Sequence, residues 1–252
     1  MKKNLTRAAW ILAALFFWIG LWALLSRKIG LEFVLPSPLA VAKRLWELLQ
    51  TSDFYKTLLF SFLRILTGFA AGVISGAVLG FSAAKWRPVD ALISPAMTVI
   101  RSTPVASFII VVILLMDKEF VSSFICFLMV LPVVYQNVVL GIRKIDPHLL
   151  EMASVFRIQK SVRLKQIEIP SVLPFFLSSV KLAIGLAWKA GVAAEVLSLP
   201  KISIGKRIFE AKNMLESADV YAWTVAIILI SVAFEKLFSL LWKKRGKNDA
   251  EN

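Results

Sequence analysis

The chain has 252 residues, of which 58% are hydrophobic, against about 45–50% in soluble domains, so its composition predicts an integral membrane protein. Its formal charge of +14 does not indicate a nucleic-acid partner, because the Lys and Arg residues stand beside long apolar runs, as the positive-inside rule produces. A single cysteine and a single histidine exclude a disulfide framework and a Cys/His metal site within one chain.

Six segments approach the length of about 20 apolar residues that crosses a bilayer. They are residues 8–25, 65–84, 91–116, 120–139, 172–195 and 221–242. The first is expected to be an uncleaved span, because its apolar run exceeds that of a signal peptide. The third is interrupted by RSTP at 101–104, where Pro104 removes an amide donor and is expected to kink the helix. The sequence therefore predicts an all-α protein with about six transmembrane helices.

Basic residues predict the orientation of these spans. If six spans alternate, the following cations lie on one side: Lys2, Lys3, Arg7, Lys85, Arg87, Arg143, Lys144, Arg157, Lys160, Arg163, Lys165, Lys243, Lys244, Arg245 and Lys247. The positive-inside rule makes that side cytoplasmic, with both termini inside.

We expect a first unit at residues 1–57, comprising a span and an outer amphipathic segment. It is followed by a transmembrane core at 58–245, which contains a cytoplasmic loop at 143–170. The chain ends in a cytoplasmic tail at 246–252.

Residues 36–56 place apolar side chains at helical spacing on the outer side. This pattern is typical of a helix that lies along the membrane interface and equally of one that packs on the rest of the protein.

Four glycines recur at every fourth position in the second span, namely Gly68, Gly72, Gly76 and Gly80. A stripe of such small residues lets helices approach closely in lipid. We expect it to pack within the chain rather than against a second copy, although both arrangements use the same pattern.

The loop at 146–170 carries signals for two short helices. Asp146 can cap a helix that begins at Pro147, and an apolar stripe follows at Leu149, Met152 or Ala153, and Phe156. A second helix is expected to start at Ser161 and to end at Pro170. Such a basic, amphipathic pair is typical of a helix that docks into a groove, and equally of a positive-inside loop that happens to be helical.

The spacing in this loop resembles the signature of permease subunits of binding-protein-dependent ABC transporters. That signature reads E-A-A, three residues, G, nine residues, and I-x-L-P. Here Glu151, Met152 and Ala153 stand for E-A-A, Arg157 occupies the glycine position, and the last motif is IEIP from Ile167 to Pro170. The spacing is kept, with Met152, Arg157 and Ile169 as departures. By this resemblance the loop is a coupling helix that contacts the ATPase.

The resemblance extends over residues 35–242, through LPSP at 35–38, SFLRILTGFAAGVISGAVLG at 61–80 and VKLAIGLAWKAGVAAEVLS at 180–198. These stretches look like the nitrate, sulfonate and taurine class of permeases, which includes importers of thiamine-precursor pyrimidines. The resemblance implies a type I importer fold in a bacterial plasma membrane. It also implies a second permease chain, as a homodimer or with a related chain, two copies of an ATPase subunit that binds ATP and Mg, and an extracytoplasmic binding protein.

Polar residues within the spans are the candidates for a translocation pathway, because each is costly in lipid unless it faces a cavity or a partner. Lys189 is expected to line the pathway, which would suit an anionic or polar ligand, or else to form a salt bridge with another span. Glu195 is expected near an outer gate. Ser102 and Thr103 are expected to present polar groups to a cavity beside Pro104. Arg64 is expected to anchor its span at the outer interface.

Two other classes of protein compete with an importer. A gradient-driven secondary transporter would need mid-membrane acids, and an intramembrane enzyme would need a nucleophile with a base or a metal. Neither set is evident, so we assign no catalytic residue and no metal site. The phosphate-binding G-x-x-x-x-G-K-[ST] loop is also missing from the sequence, so we expect no cofactor in this chain and ATP in a partner.

Overall fold

The computed structural model describes the backbone of residues 2–248 and the side chains of Trp10 and residues 13–240. That part of the chain is helical and contains no β-strand. In chain order the helices are α1 (Lys2–Ile29), α2 (Pro38–Leu49), α3 (Ser52–Lys85), α4 (Arg87–Ser102), α5 (Val105–Leu115), α6 (Lys118–Arg143), α7 (Pro147–Val155), α8 (Lys160–Arg163), α9 (Ile169–Ser198), α10 (Ile204–Asn213) and α11 (Ser217–Asn248). A π-helical turn, Leu164–Glu168, joins α8 to α9.

Four helices within the described residues are long and apolar enough to span a membrane: α3, α6, the continuous helix Lys160–Ser198, and α11 over Ser217–Leu240. The pair α4 and α5 counts as a fifth, either a broken span or a re-entrant loop. The predicted break at RSTP is present, and it is larger than a proline kink, since the two helices meet at 106°. Each helix is too short to cross alone at 1.5 Å per residue.

The first predicted span lies within α1, whose side chains at residues 2–9, 11 and 12 are outside the described set. The same holds for the cations Lys2, Lys3, Arg7, Lys243, Lys244, Arg245 and Lys247. Of the predicted tail, residues 246–248 continue the backbone of α11, and residues 249–252 are outside the described part.

The glycine stripe places α3 directly against α6. A Cβ atom at Gly72 would lie 2.8 Å from Val130 Cβ, and at Gly80 it would lie 2.8 Å from the Tyr135 carbonyl oxygen. Contacts this close leave no room for a side chain, so the expected packing within the chain is confirmed. On its other side α6 packs against α9, and the three helices form the centre of the bundle.

Helix α2 packs against α11 at one end of the bundle. Ser37 Oγ accepts from the Ala40 amide at 3.2 Å and caps the helix, and Leu45 packs near Trp223. Arg44 forms an ion pair with Asp219 in which Nη2 donates to Oδ2 at 3.1 Å. Of the two arrangements predicted for this segment, packing on the rest of the protein is the one observed.

Candidate functional site

A cavity of about 440 Å³ lies between α4, α5, α6 and α9. Pro132 lines it near the midpoint of α6, so the cavity lies at membrane depth. Its apolar wall is formed by the following side chains: Ile100, Val105, Met129, Pro132, Val133, Leu186, Ala190 and Ala193. Irregular backbone is tolerated at this depth where it lines such a space, and the break between α4 and α5 lies beside it.

Two cations, Arg101 and Lys189, complete the wall of the cavity. Neither has a carboxylate within 4.0 Å among the side chains that the structure describes. Arg101 Nη1 instead donates to Gln136 Oε1 at 2.6 Å. Because two positive charges share an otherwise apolar space without an acid, the cavity is electrostatically suited to an anion.

Sequence reasoning selected Lys189 and passed over Arg101. The signal was the same in both cases, a cation inside an apolar segment, but Arg101 stood beside the predicted break. Ser102 and Thr103 were selected there instead. Their hydroxyls donate to the Val99 carbonyl, at 3.1 and 2.8 Å, and neither residue lines the cavity.

Glu195 also lies away from this cavity and is fully buried. Its Oε2 accepts from Ser61 Oγ at 2.8 Å and from the Gly205 amide at 3.2 Å. Its Oε1 lies 3.6 Å from Arg64 Nη1. The carboxylate therefore ties α9 to α3 and to the start of α10, as a brace would.

Arg64, which is predicted to anchor its span at the outer interface, is held by partners within the bundle. Its side chain is 13% exposed and pairs with Glu119 as well as Glu195. Its Nη1 also donates to the Ile202 carbonyl at 2.7 Å. A guanidinium offers five donors, and that of Arg64 pairs with carboxylates from α6 and α9. The side chain therefore faces the bundle instead of the lipid.

The loop after α6 begins as its sequence predicts. Asp146 accepts from the His148 amide at 2.9 Å, and α7 starts at Pro147, where no amide is needed. At the other end the Arg157 amide donates to Ser154 and the Ile158 amide to Ala153, which together form a Schellman motif. Arg157 has a φ of +51°, so it adopts the left-handed conformation for which glycine is the usual residue.

The predicted loop residues differ in exposure. Glu151 and Met152 are exposed, whereas Ala153 is buried and faces the bundle. Ile167 packs against the central core. Val155 and Phe156 are 78% and 74% exposed and form, with Met152, an apolar surface around the end of α7.

Pro170 does not end a short helix, which corrects the predicted boundary. It is the second residue of α9, and the chain runs without a break from α8 through the π-helical turn into α9. The Ile169 amide bonds to the Leu164 carbonyl in the wider π pattern, so the missing amide of Pro170 falls in a helical turn that is already rearranged.

A buried carboxylate ties this loop to α3. Glu168 is 4% exposed and lies 2.8 Å from Lys85 Nζ and 2.9 Å from Arg163 Nε. Lys85 is the last residue of α3, so the ion pair holds the start of α9 against that end of the bundle. A buried acid is tolerated because it is paired twice.

Comparisons with known proteins identify a family for this chain and several related transport proteins. A model of the family described as the binding-protein-dependent transport system inner membrane component matches residues 68–243. The putative aliphatic sulfonates transport permease protein SsuC of Bacillus subtilis is 25% identical over 213 residues, covering 84% of this chain and 76% of that protein. The nitrate import permease protein NrtB of Synechococcus elongatus is 26% identical over 237 residues, covering 84% and 83%.

The bicarbonate transport system permease protein CmpB of Synechococcus elongatus is 25% identical over 189 residues, covering 75% of this chain and 68% of that protein. A solved structure described as an amino acid ABC transporter with histidines superimposes with a TM-score of 0.58 at 16% identity. It covers 75% of this chain and 91% of that chain, and at this identity it shows a shared fold alone.

Proposed function

This chain belongs to the family of binding-protein-dependent transport system inner membrane components, and from its cavity we propose that it conducts a small anion. It is the membrane-spanning permease subunit of an ABC importer, and the ATPase of such an importer is a separate subunit. The relatives do not support the alternative of a gradient-driven carrier.

The pairing of Arg101 with Lys189 in one mid-membrane cavity carries this proposal. Two cations in an apolar space repel each other, and an anion between them relieves that repulsion. The names of these relatives specify sulfonate, nitrate and bicarbonate, which are all small anions. We therefore place the substrate of this chain in that class and expect zwitterionic sulfonates such as taurine to fit as well.

The loop from Asp146 to Pro170 is proposed to contact the ATPase. Glu151, Met152, Ala153, Arg157, Ile167 and Pro170 hold the positions of the family signature. The exposed apolar surface of Met152, Val155 and Phe156 supports this assignment, since exposed apolar patches mark interaction sites. Ala153 and Ile167 would set the position of α7 from within, while Glu151 and Met152 would face the partner.

We further propose two permease chains as a homodimer, two ATPase subunits and one external binding protein in each importer. With the loop on the ATPase side, both termini lie in the cytoplasm, which is the orientation that the basic residues favour. The cavity wall contributed by one chain leaves Lys189 exposed, and a second permease chain would close that side.

ATP-dependent uptake into proteoliposomes tests the proposed substrate class. The complete importer would be assayed with radiolabelled taurine, ethanesulfonate, nitrate and bicarbonate. Lys189→Met removes the charge but keeps the length, and we expect uptake to fall by about tenfold or more, the factor that corresponds to 1.4 kcal/mol.

Lys181→Met is the matched control, because Lys181 is on the same helix and is paired with Glu235 at 3.8 Å outside the cavity. Its uptake should equal that of the wild type. If the wild type takes up none of the four solutes, or if the two variants behave alike, the proposal fails.

A further inference from the structure

A second cavity lies between α4 and α6, nearer to the end of the bundle that carries the loop at 143–170. Its volume is about 330 Å³, and its polar wall includes Asp90, Ser94, Tyr135, Gln136 and Arg143. It lies next to the first cavity, because Gln136 lines the second space and bonds to Arg101, which lines the first.

One face of each helix runs through both spaces. On α4 the second space is lined by Asp90, Ser94 and Met97, and the first by Arg101, a spacing of four, three and four residues. This spacing keeps the side chains on a single helix face.

On α6 the first space is lined by Val133, and the second by Gln136, Leu140 and Arg143, again three or four residues apart. A solute that moves along these two faces would pass from the first space to the second. The Arg101–Gln136 hydrogen bond crosses between the two helices where the spaces meet.

We propose that the hydrogen bond between Arg101 and Gln136 is the barrier between the two spaces and that an anion in the first space opens it. This proposal rests on the proposed function, since a barrier matters only if a solute passes. Gln136 offers Arg101 a neutral amide oxygen. An anion offers a charged acceptor, which makes a stronger hydrogen bond, so an arriving anion displaces Gln136.

The second space is suited to release the anion. Its cation, Arg143, is already paired, with Nη2 at 2.6 Å from Asp90 Oδ2. Asp90 also accepts from the Tyr135 hydroxyl at 3.2 Å. Because this carboxylate offsets the positive charge, an anion is held less strongly there than between Arg101 and Lys189. Leaving the first space therefore costs the anion electrostatic energy, but an anion that reaches the second space is not retained there.

Thiol labelling in inside-out vesicles tests the barrier in the assembled importer without ATP. Val133→Cys would place a thiol in the first space, and a membrane-impermeant methanethiosulfonate would reach it from the loop side. Adding Gln136→Ala is expected to raise its labelling rate about fivefold, the factor that one net hydrogen bond corresponds to. Adding Arg101→Gln should raise the rate in the same way.

Leu140→Cys is the control, because Leu140 lines the second space and is already on the loop side of the barrier. Its labelling rate should not change in either background. The native Cys126 is fully buried, and labelling of the wild-type chain measures any background labelling at this residue. Equal labelling of Val133→Cys with and without Gln136 would overturn the barrier. Labelling needs neither ATP nor uptake, so this failure is distinct from a wild type that imports no anion.

Discussion

The Ile158 amide donates a 2.9 Å hydrogen bond to the Ala153 carbonyl oxygen and so closes the turn after α7. Arg157, between them, has a φ of +51°, which costs a residue with a Cβ atom about 1 kcal/mol or more. The end of α10 repeats this geometry, with Glu216 bonded to Ala211 and Leu215 at a φ of +59°. The two turns therefore give two independent tests of the same backbone strain.

Arg157→Gly is expected to raise the apparent melting temperature by about 1–4 °C, because the relief of strain exceeds the added freedom of the unfolded chain. Leu215→Gly should give a similar rise for the same reason. Thermal unfolding in detergent, followed by tryptophan fluorescence, measures both. A fall in melting temperature for both variants would contradict this account of the left-handed turns.

Phe156→Ala is expected to reduce co-purification of the ATPase about tenfold or more, because buried apolar anchors dominate interfaces. Phe156 is 74% exposed, so its removal leaves no cavity in the chain. Met214→Ala, at a residue that is 70% exposed beyond α10, removes a similar side chain at the other end of the bundle and is the control. The docking surface would be misassigned if both variants retained the ATPase equally.

Gly72→Ala is expected to destabilise the bundle by about 1–3 kcal/mol, the usual cost of overpacking. Its Cβ would lie 2.8 Å from Val130 Cβ and 3.0 Å from the Phe127 carbonyl oxygen, so α3 and α6 must separate. Gly185→Ala on α9 meets nothing within 4 Å and should be neutral or slightly stabilising. Melting temperatures of the two variants decide the point, and equal values would argue against close packing at Gly72.

Lys85→Met is expected to lower the melting temperature by several degrees, because it leaves the buried Glu168 carboxylate with Arg163 alone. Lys165→Met is the matched control, since Lys165 is exposed and has no ion pair among the described side chains. Glu168→Gln should partly rescue Lys85→Met, because it removes a buried charge that then has Arg163 as its one remaining partner. Additive losses in the double variant would show that the two residues are not coupled.

Local signals in the sequence were sufficient for much of the fold. The Asp146–Pro147 start of α7 was predictable because a cap needs only its own backbone neighbours. The glycine stripe predicted a close helix contact, but the identity of its partner, α6, depends on tertiary structure. The presence of α2 followed from its periodicity, whereas its packing on α11 did not.

The remaining errors share a cause, which is that the sequence shows residue types without their partners. Pro170 was interpreted as a helix end because the π-helical turn before it has no sequence signal. The partners of Arg64 were not predicted because its two carboxylates come from distant segments. Arg101 was overlooked because the sequence does not show the 106° bend after α4 or that Arg101 lines the same cavity as Lys189.

The continuous helix Lys160–Ser198 connects the two ends of the molecule mechanically. Its 39 residues extend about 58 Å at 1.5 Å per residue, and about 40 Å of that length separates the ion pair at Glu168 from the buried brace at Glu195. Because both ends are fastened to α3, a tilt of this rod cannot be absorbed at one membrane surface. A rotation of about 10° around its centre would shift each end by about 5 Å in opposite directions. A force applied to the loop would therefore displace α10 at the opposite end of the bundle.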